Sequence, residues 1–146
     1  MRKIRDTLAY AVLVFALMSP TLLVAEEAPP LVPEQHATEF LEATLGEGWK
    51  DAPGPLLQDS NIEAENPEAK AKITALLEMQ RSKFGKPLGY ELVKKEELGT
   101  SVVYLFFIVK FENKPVVWEF FYYRPGDDWT LINVNVPQDF RALRSS

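Results

Sequence analysis

The sequence predicts an α+β fold in which amphipathic helices come first and a four-stranded antiparallel sheet follows. Three observations carry this reading. Apolar residues recur at three- and four-residue spacing as far as Phe84, strand-like apolar runs replace them from Leu88 onward, and short turn-like links separate four such runs. Consecutive strands joined by short links pair as an antiparallel meander. At 146 residues, 47% hydrophobic and 25% charged, the chain has the material for one domain with a substantial core.

Residues 1–25 read as an export signal. Arg2, Lys3 and Arg5 form a basic start, LAYAVLVFALM supplies the apolar run, and Pro20 precedes a small-residue end at Ala25. The alternative is an uncleaved membrane anchor, since Leu8 to Ala25 is nearly long enough to span a bilayer. The chain has no cysteine, which removes lipid attachment at a cleavage-site cysteine, disulfides, thiolate metal sites and cysteine nucleophiles together. Cleavage after Ala25 takes the balance of 16 basic and 21 acidic residues to 13 and 20, a net charge of −7. Such a surface repels phosphate backbones and anionic lipid, so neither nucleic acid nor, after cleavage, a membrane is an expected partner.

Residues 26–33, EEAPPLVP, hold three prolines and form an extended leader. The domain proper runs over 34–140, with 141–146 as a tail. In the first helix, from Glu34, the apolar face is Ala37, Phe40, Leu41, Thr44 and Leu45, and Gly46 with Gly48 ends it. Residues 46–61 carry loop punctuation, with Trp49, Leu56 and Leu57 as anchors onto the core. The second helix has Asn66 as N-cap, Pro67 at its first position and Gly85 as its stop. Its stripe is Ala69, Ile73, Leu76, Leu77, Gln80 and Phe84, while Lys70, Lys72, Glu78 and Arg81 fall mostly on a solvated face.

The four strands are GYELVKKEEL, SVVYLFFIVKF, PVVWEFFYY and WTLINVNV. With Asn113 and Lys114 as a two-residue turn, Phe111 faces Val116, Val109 faces Trp118, Phe107 faces Phe120 and Leu105 faces Tyr122. The other face then carries Tyr104, Phe106, Ile108 and Lys110 against Val117, Glu119, Phe121 and Tyr123. Both faces are apolar. Helices cover one; the other calls for a second copy of the chain, an interior ligand cavity or an unrelated partner, and a symmetric homodimer through a sheet face is the favoured expectation.

Two helices followed by a sheet ending in VVWEFFYYRPGDDWTLINVNV resemble the nuclear transport factor two-like superfamily, over about residues 34–140. The aromatic-rich strand, the tight turn with Gly126 and Asp127, and Trp129 opening the last strand carry the resemblance, with Trp118 in the strand itself. It implies a cystatin-like, cone-shaped roll in which the helices pack on a curved sheet, with a pocket between them and dimerisation through the outer sheet face. It implies no single activity, because the superfamily includes enzymes, ligand binders and accessory domains.

Candidate chemistry is sparse. His36, the single histidine, stands near the start of the first helix beside Glu34 and Glu39 and is expected to be exposed or half-exposed, without the partners a metal or a catalytic base needs. No metal and no cofactor is expected. Glu119 is the one catalytic candidate, a carboxylate in an apolar strand with Tyr104 and Tyr123 on its face, as a cofactor-free isomerase or lyase would use. Its competing role is a salt bridge to Lys110 across the hairpin. Trp118, Phe120 and Tyr122 with Asn133 and Asn135, placed on a common face by the RPGD loop, form a candidate binding site for a small apolar or amphipathic ligand. The expected function is an exported, non-catalytic binding or accessory domain, periplasmic or secreted, with an envelope protein-interaction module as the third reading.

Overall fold

The computed structural model describes residues 29–58 and 60–144; the export signal expected over 1–25 lies outside them. Helices α1 (Pro33–Leu45), α2 (Pro53–Leu57), α3 (Ile62–Glu65) and α4 (Ala69–Phe84) precede strands β1 (Pro87–Leu98), β2 (Val102–Phe111), β3 (Pro115–Tyr123) and β4 (Thr130–Asn135). The strands form one antiparallel sheet in sequential order, so the fold is α+β.

Proline at its first turn starts α1, with no side-chain cap, and Ala37, Phe40, Leu41 and Thr44 turn inward at helical spacing. The segment expected to be a loop, 46–61, instead contains a 3₁₀ turn at Trp49–Asp51 and the short helix α2. Its prolines do not prevent this, because Pro53 occupies the first helical position, where a missing N–H costs nothing. Leu56 and Leu57 are buried as the anchors expected of them, and Trp49 packs against the core from a half-buried position.

Helix α4 begins two residues later than the cap signal suggests. Asn66 and Pro67 lie in a turn closed by Ala69 N–H donating to the Asn66 carbonyl at 2.9 Å, and Glu68 takes the N-cap position without a side-chain bond. The Asn66 side chain accepts instead from Lys72 Nζ at 3.4 Å. At the other end Gly85, at φ 85°, donates to the Arg81 carbonyl and closes the helix as expected. Arg81 is not merely solvated. Its guanidinium donates to the Thr44 carbonyl at 2.7 Å and to that of Gly46 at 3.1 Å, tying off the C-terminus of α1, and lies 5.1 Å over the Trp49 ring.

Across the sheet, Val109 pairs with Val116, Phe107 with Trp118, Leu105 with Phe120 and Val103 with Tyr122. The last β2–β3 pair is thus Lys110 with Pro115, which leaves four residues, 111–114, between the paired positions rather than two, and the register slides by two. Because side chains alternate with period two, such a slide changes every partner and moves no side chain to the other face. The helix-facing side of β2 and β3 is accordingly Val103, Leu105, Phe107, Val109 and Phe111 with Val116, Trp118, Phe120 and Tyr122, all buried against Phe40, Leu41, Leu56 and Leu77. At about 1.5–3 kcal/mol per large side chain, this layer is the main favourable contribution to folding.

The outer face is partly covered by its own side chains. Tyr104 stacks on Phe121 with ring centroids 4.2 Å apart, and Lys94 Nζ lies 5.5 Å over the Phe106 ring while pairing with Glu96 at 2.6 Å. Strand β1, at the sheet edge, is charged along most of its outer half, and Tyr90 from it donates to Glu42 of α1 at 2.8 Å. No helix among the described residues is long and apolar enough to cross a membrane.

Candidate ligand-binding site

Helix α4 and the β3–β4 side of the sheet stand apart enough to leave a cleft of about 350 Å³. Ile73 and Leu76 form its helical wall, Trp118, Val134 and Val136 its sheet wall, with Asn66 and Lys72 also among its lining residues. A second compartment of about 60 Å³ shares Leu76 and Val136 with the first and extends to Gln80, Phe84 and Val116. Behind Gln80 lies a void of about 10 Å³ bordered by Thr44, Leu77 and Trp118. The walls are apolar because the stripe of α4 faces the inner pleat of β3 and β4.

Gln80 is the exception within these walls. It is 1% exposed, and neither its Nε2 nor its Oε1 meets a hydrogen-bond partner among the described residues. Burying an amide without partners costs about 1–3 kcal/mol per unsatisfied group, which is why native interiors seldom contain one. The signal was present in the sequence, where a carboxamide interrupts an otherwise apolar stripe between Leu77 and Phe84, but helical spacing alone reads it as core.

The five residues expected to bind a ligand do not assemble as one face. Trp118 lines the cleft, whereas Phe120 and Tyr122 are fully buried beneath α1 in the core. Asn133 pairs with Phe121 and Asn135 with Glu119, on the outer pleat, and they border the cleft only as part of its β4 rim. An irregularity between Phe121 and Tyr122 is responsible: Tyr122 pairs with Leu131, but Phe121 pairs with Asn133, so one extra residue on β4 reverses the faces beyond it. Leu131, Val134 and Val136 show the break in phase, since apolar residues three apart cannot share a face of a regular strand.

Glu119 also sits on the outer face, half-exposed, opposite Phe106. Its Oε2 accepts from Asn135 Nδ2 at 2.9 Å, so the partner is an amide from β4 and not Lys110, which lies opposite Pro115 at the hairpin end. Tyr104 and Tyr123 share its face, with Tyr104 stacked on Phe121.

His36 has partners that sequence reading did not foresee. Its Nδ1 lies 2.9 Å from the Tyr122 hydroxyl, a contact spanning 86 positions of chain, and the rings meet edge-on at 5.8 Å between centroids. Burial holds the imidazole below its ordinary 6.5, opposed by a hydrogen bond to the Pro55 backbone and by the nearby Glu39 charge. With the imidazole neutral and the phenol protonated, Nδ1 accepts from the Tyr122 hydroxyl. Burial pushes the Tyr122 phenol well above its ordinary value, which keeps its proton in place for that bond. The pair clamps α1 to β3 beside an open groove of about 550 Å³ formed with residues 29–32, Pro55 and Gln58.

No group of three or more His, Asp or Glu side chains among the described residues is placed to hold a metal ion. In comparison with known proteins, no family model, no curated protein and no solved structure matches the chain.

Proposed function

We propose that the chain is a non-catalytic small-molecule-binding domain that reaches its site of action by export, and that its ligand lies in the cleft between α4 and the β3–β4 side of the sheet. The carrying observation is the combination of a mainly apolar cleft with, in the adjoining compartment, a fully buried carboxamide that meets no hydrogen-bond partner among the described residues, the composition that recognition of a small amphipathic molecule requires. Helices preceding a four-stranded antiparallel meander, with a cleft between the two layers, support kinship with the cone-shaped nuclear transport factor two-like architecture. The basic and apolar character of residues 1–25 supports export.

The outer face of the sheet is proposed to meet a second copy of the chain. Ile108, Phe121 and Tyr104 on that face remain half-exposed, and Tyr123 is 40% exposed. Native mass spectrometry of the purified protein tests both parts in one measurement. A dimer carrying a co-purified small molecule is the expected outcome, whereas a monomer with no adduct, together with no response of Leu76 or Val136 to any added amphiphile, would defeat the reading.

A further inference from the structure

Granted the binding role proposed above, we infer that the ligand carries a neutral planar head group presenting one hydrogen-bond donor beside one acceptor, as in a primary carboxamide, a lactam or a protonated carboxylic acid. Gln80 selects it. The side chain supplies a carbonyl acceptor and an amide donor in one plane, both buried and both lacking partners among the described residues. A head group of the same kind satisfies the two together, Gln80 Oε1 accepting its N–H or O–H and Nε2 donating to its carbonyl.

The surroundings argue against charge. Leu76, Met79, Phe84 and Val116 wall the Gln80 compartment, where an ion gives up its hydration, and the one carboxylate on that wall, Asp139, already accepts from Arg141 Nε at 2.8 Å and from the Arg141 backbone N–H at 3.0 Å. Lys114, on the same wall, holds its ammonium 5.3 Å over the Phe84 ring. Lys72, in the wider cleft, pairs with Glu68 at 3.3 Å and donates to Asn66 at 3.4 Å, so it is already committed. The apolar body of the ligand then runs past Leu76 and Val136, common to both compartments, toward Ile73 and Val134.

The test uses four probes of equal chain length, octanamide, octanoate, octylammonium and octylbenzene, titrated into isotopically labelled protein at neutral pH. Octanamide is expected to shift the Gln80 side-chain NH₂ resonances and to bind roughly ten-fold or more tightly than either ion, the factor that one satisfied buried hydrogen bond confers. Gln80→Leu is expected to weaken octanamide about ten-fold and to leave octylbenzene unchanged. If octylbenzene shifts the Leu76 and Val136 methyls but octanamide has no advantage, or Gln80→Leu changes nothing, the head-group assignment falls while the cleft survives. If no probe moves those methyls, both fall. Where the variant does not fold, the response of the Gln80 amide to octanamide in the native protein decides the matter alone.

Discussion

Replacing Gln80 by leucine should make the protein more stable. The side chain is 1% exposed and both polar atoms are without partners among the described residues, so the folded state bears the desolvation of a whole amide with no hydrogen bond from them in return. Mutational data place that penalty at about 1–3 kcal/mol per group. Leucine is close to glutamine in volume and matches the apolar lining that Leu76 and Val116 give this compartment, so the packing change is smaller, under about 1.5 kcal/mol. The net expectation for Gln80→Leu is a stabilisation of about 2 kcal/mol, a rise of about 4 °C in Tm for each kcal/mol in a domain of this size. Urea denaturation followed by circular dichroism measures it, with the slope of the transition unchanged. A loss of more than about 1 kcal/mol would refute the reasoning, because it would mean that the amide is hydrogen-bonded in solution and that Gln80 is ordinary core. A stabilised variant with weakened ligand binding is the pattern of a residue retained for function at a cost to the fold.

Other expectations follow from particular contacts. Because the folded state holds His36 below 6.5, the unfolded chain binds the proton more readily; the stability owed to the neutral imidazole is complete above about pH 6.5 and is lost as pH falls from there through the lowered folded value. The difference in urea midpoint between wild type and His36→Gln should therefore shrink between about pH 7.5 and about pH 5, and a constant difference would contradict the clamp with Tyr122. Gly85→Ala should cost about 1–3 kcal/mol, since φ 85° with ψ −157° is a glycine region and the new Cβ would lie 2.5 Å from Glu112 Oε2, which also accepts the Lys86 N–H. A thermal shift of less than 1 °C would show that the backbone relaxes there. Glu119→Gln should leave stability within about 0.5 kcal/mol, because the carboxylate is half-exposed and its hydrogen bond is to the neutral amide of Asn135; a large change would restore Glu119 as a candidate for chemistry.

Sequence alone was enough for the α+β order of elements, the stripe of α4 and the division of β2 and β3 into two faces, since all three rest on periodicity, which local backbone geometry imposes on the residues themselves. Even the two-residue error at the β2–β3 hairpin left those faces intact, for the pleat repeats every second residue. Other features were decided only when distant segments met. The extra residue of β4 turned Asn133 and Asn135 outward, Arg81 found the last carbonyls of α1, and His36 found a hydroxyl 86 positions away. Gln80 shows the division within one side chain. Its place on the inner stripe follows from helical spacing, but the absence of a protein partner for its amide depends on what α1, β3 and the segment after β4 present to it, and those contacts exist only in the folded chain.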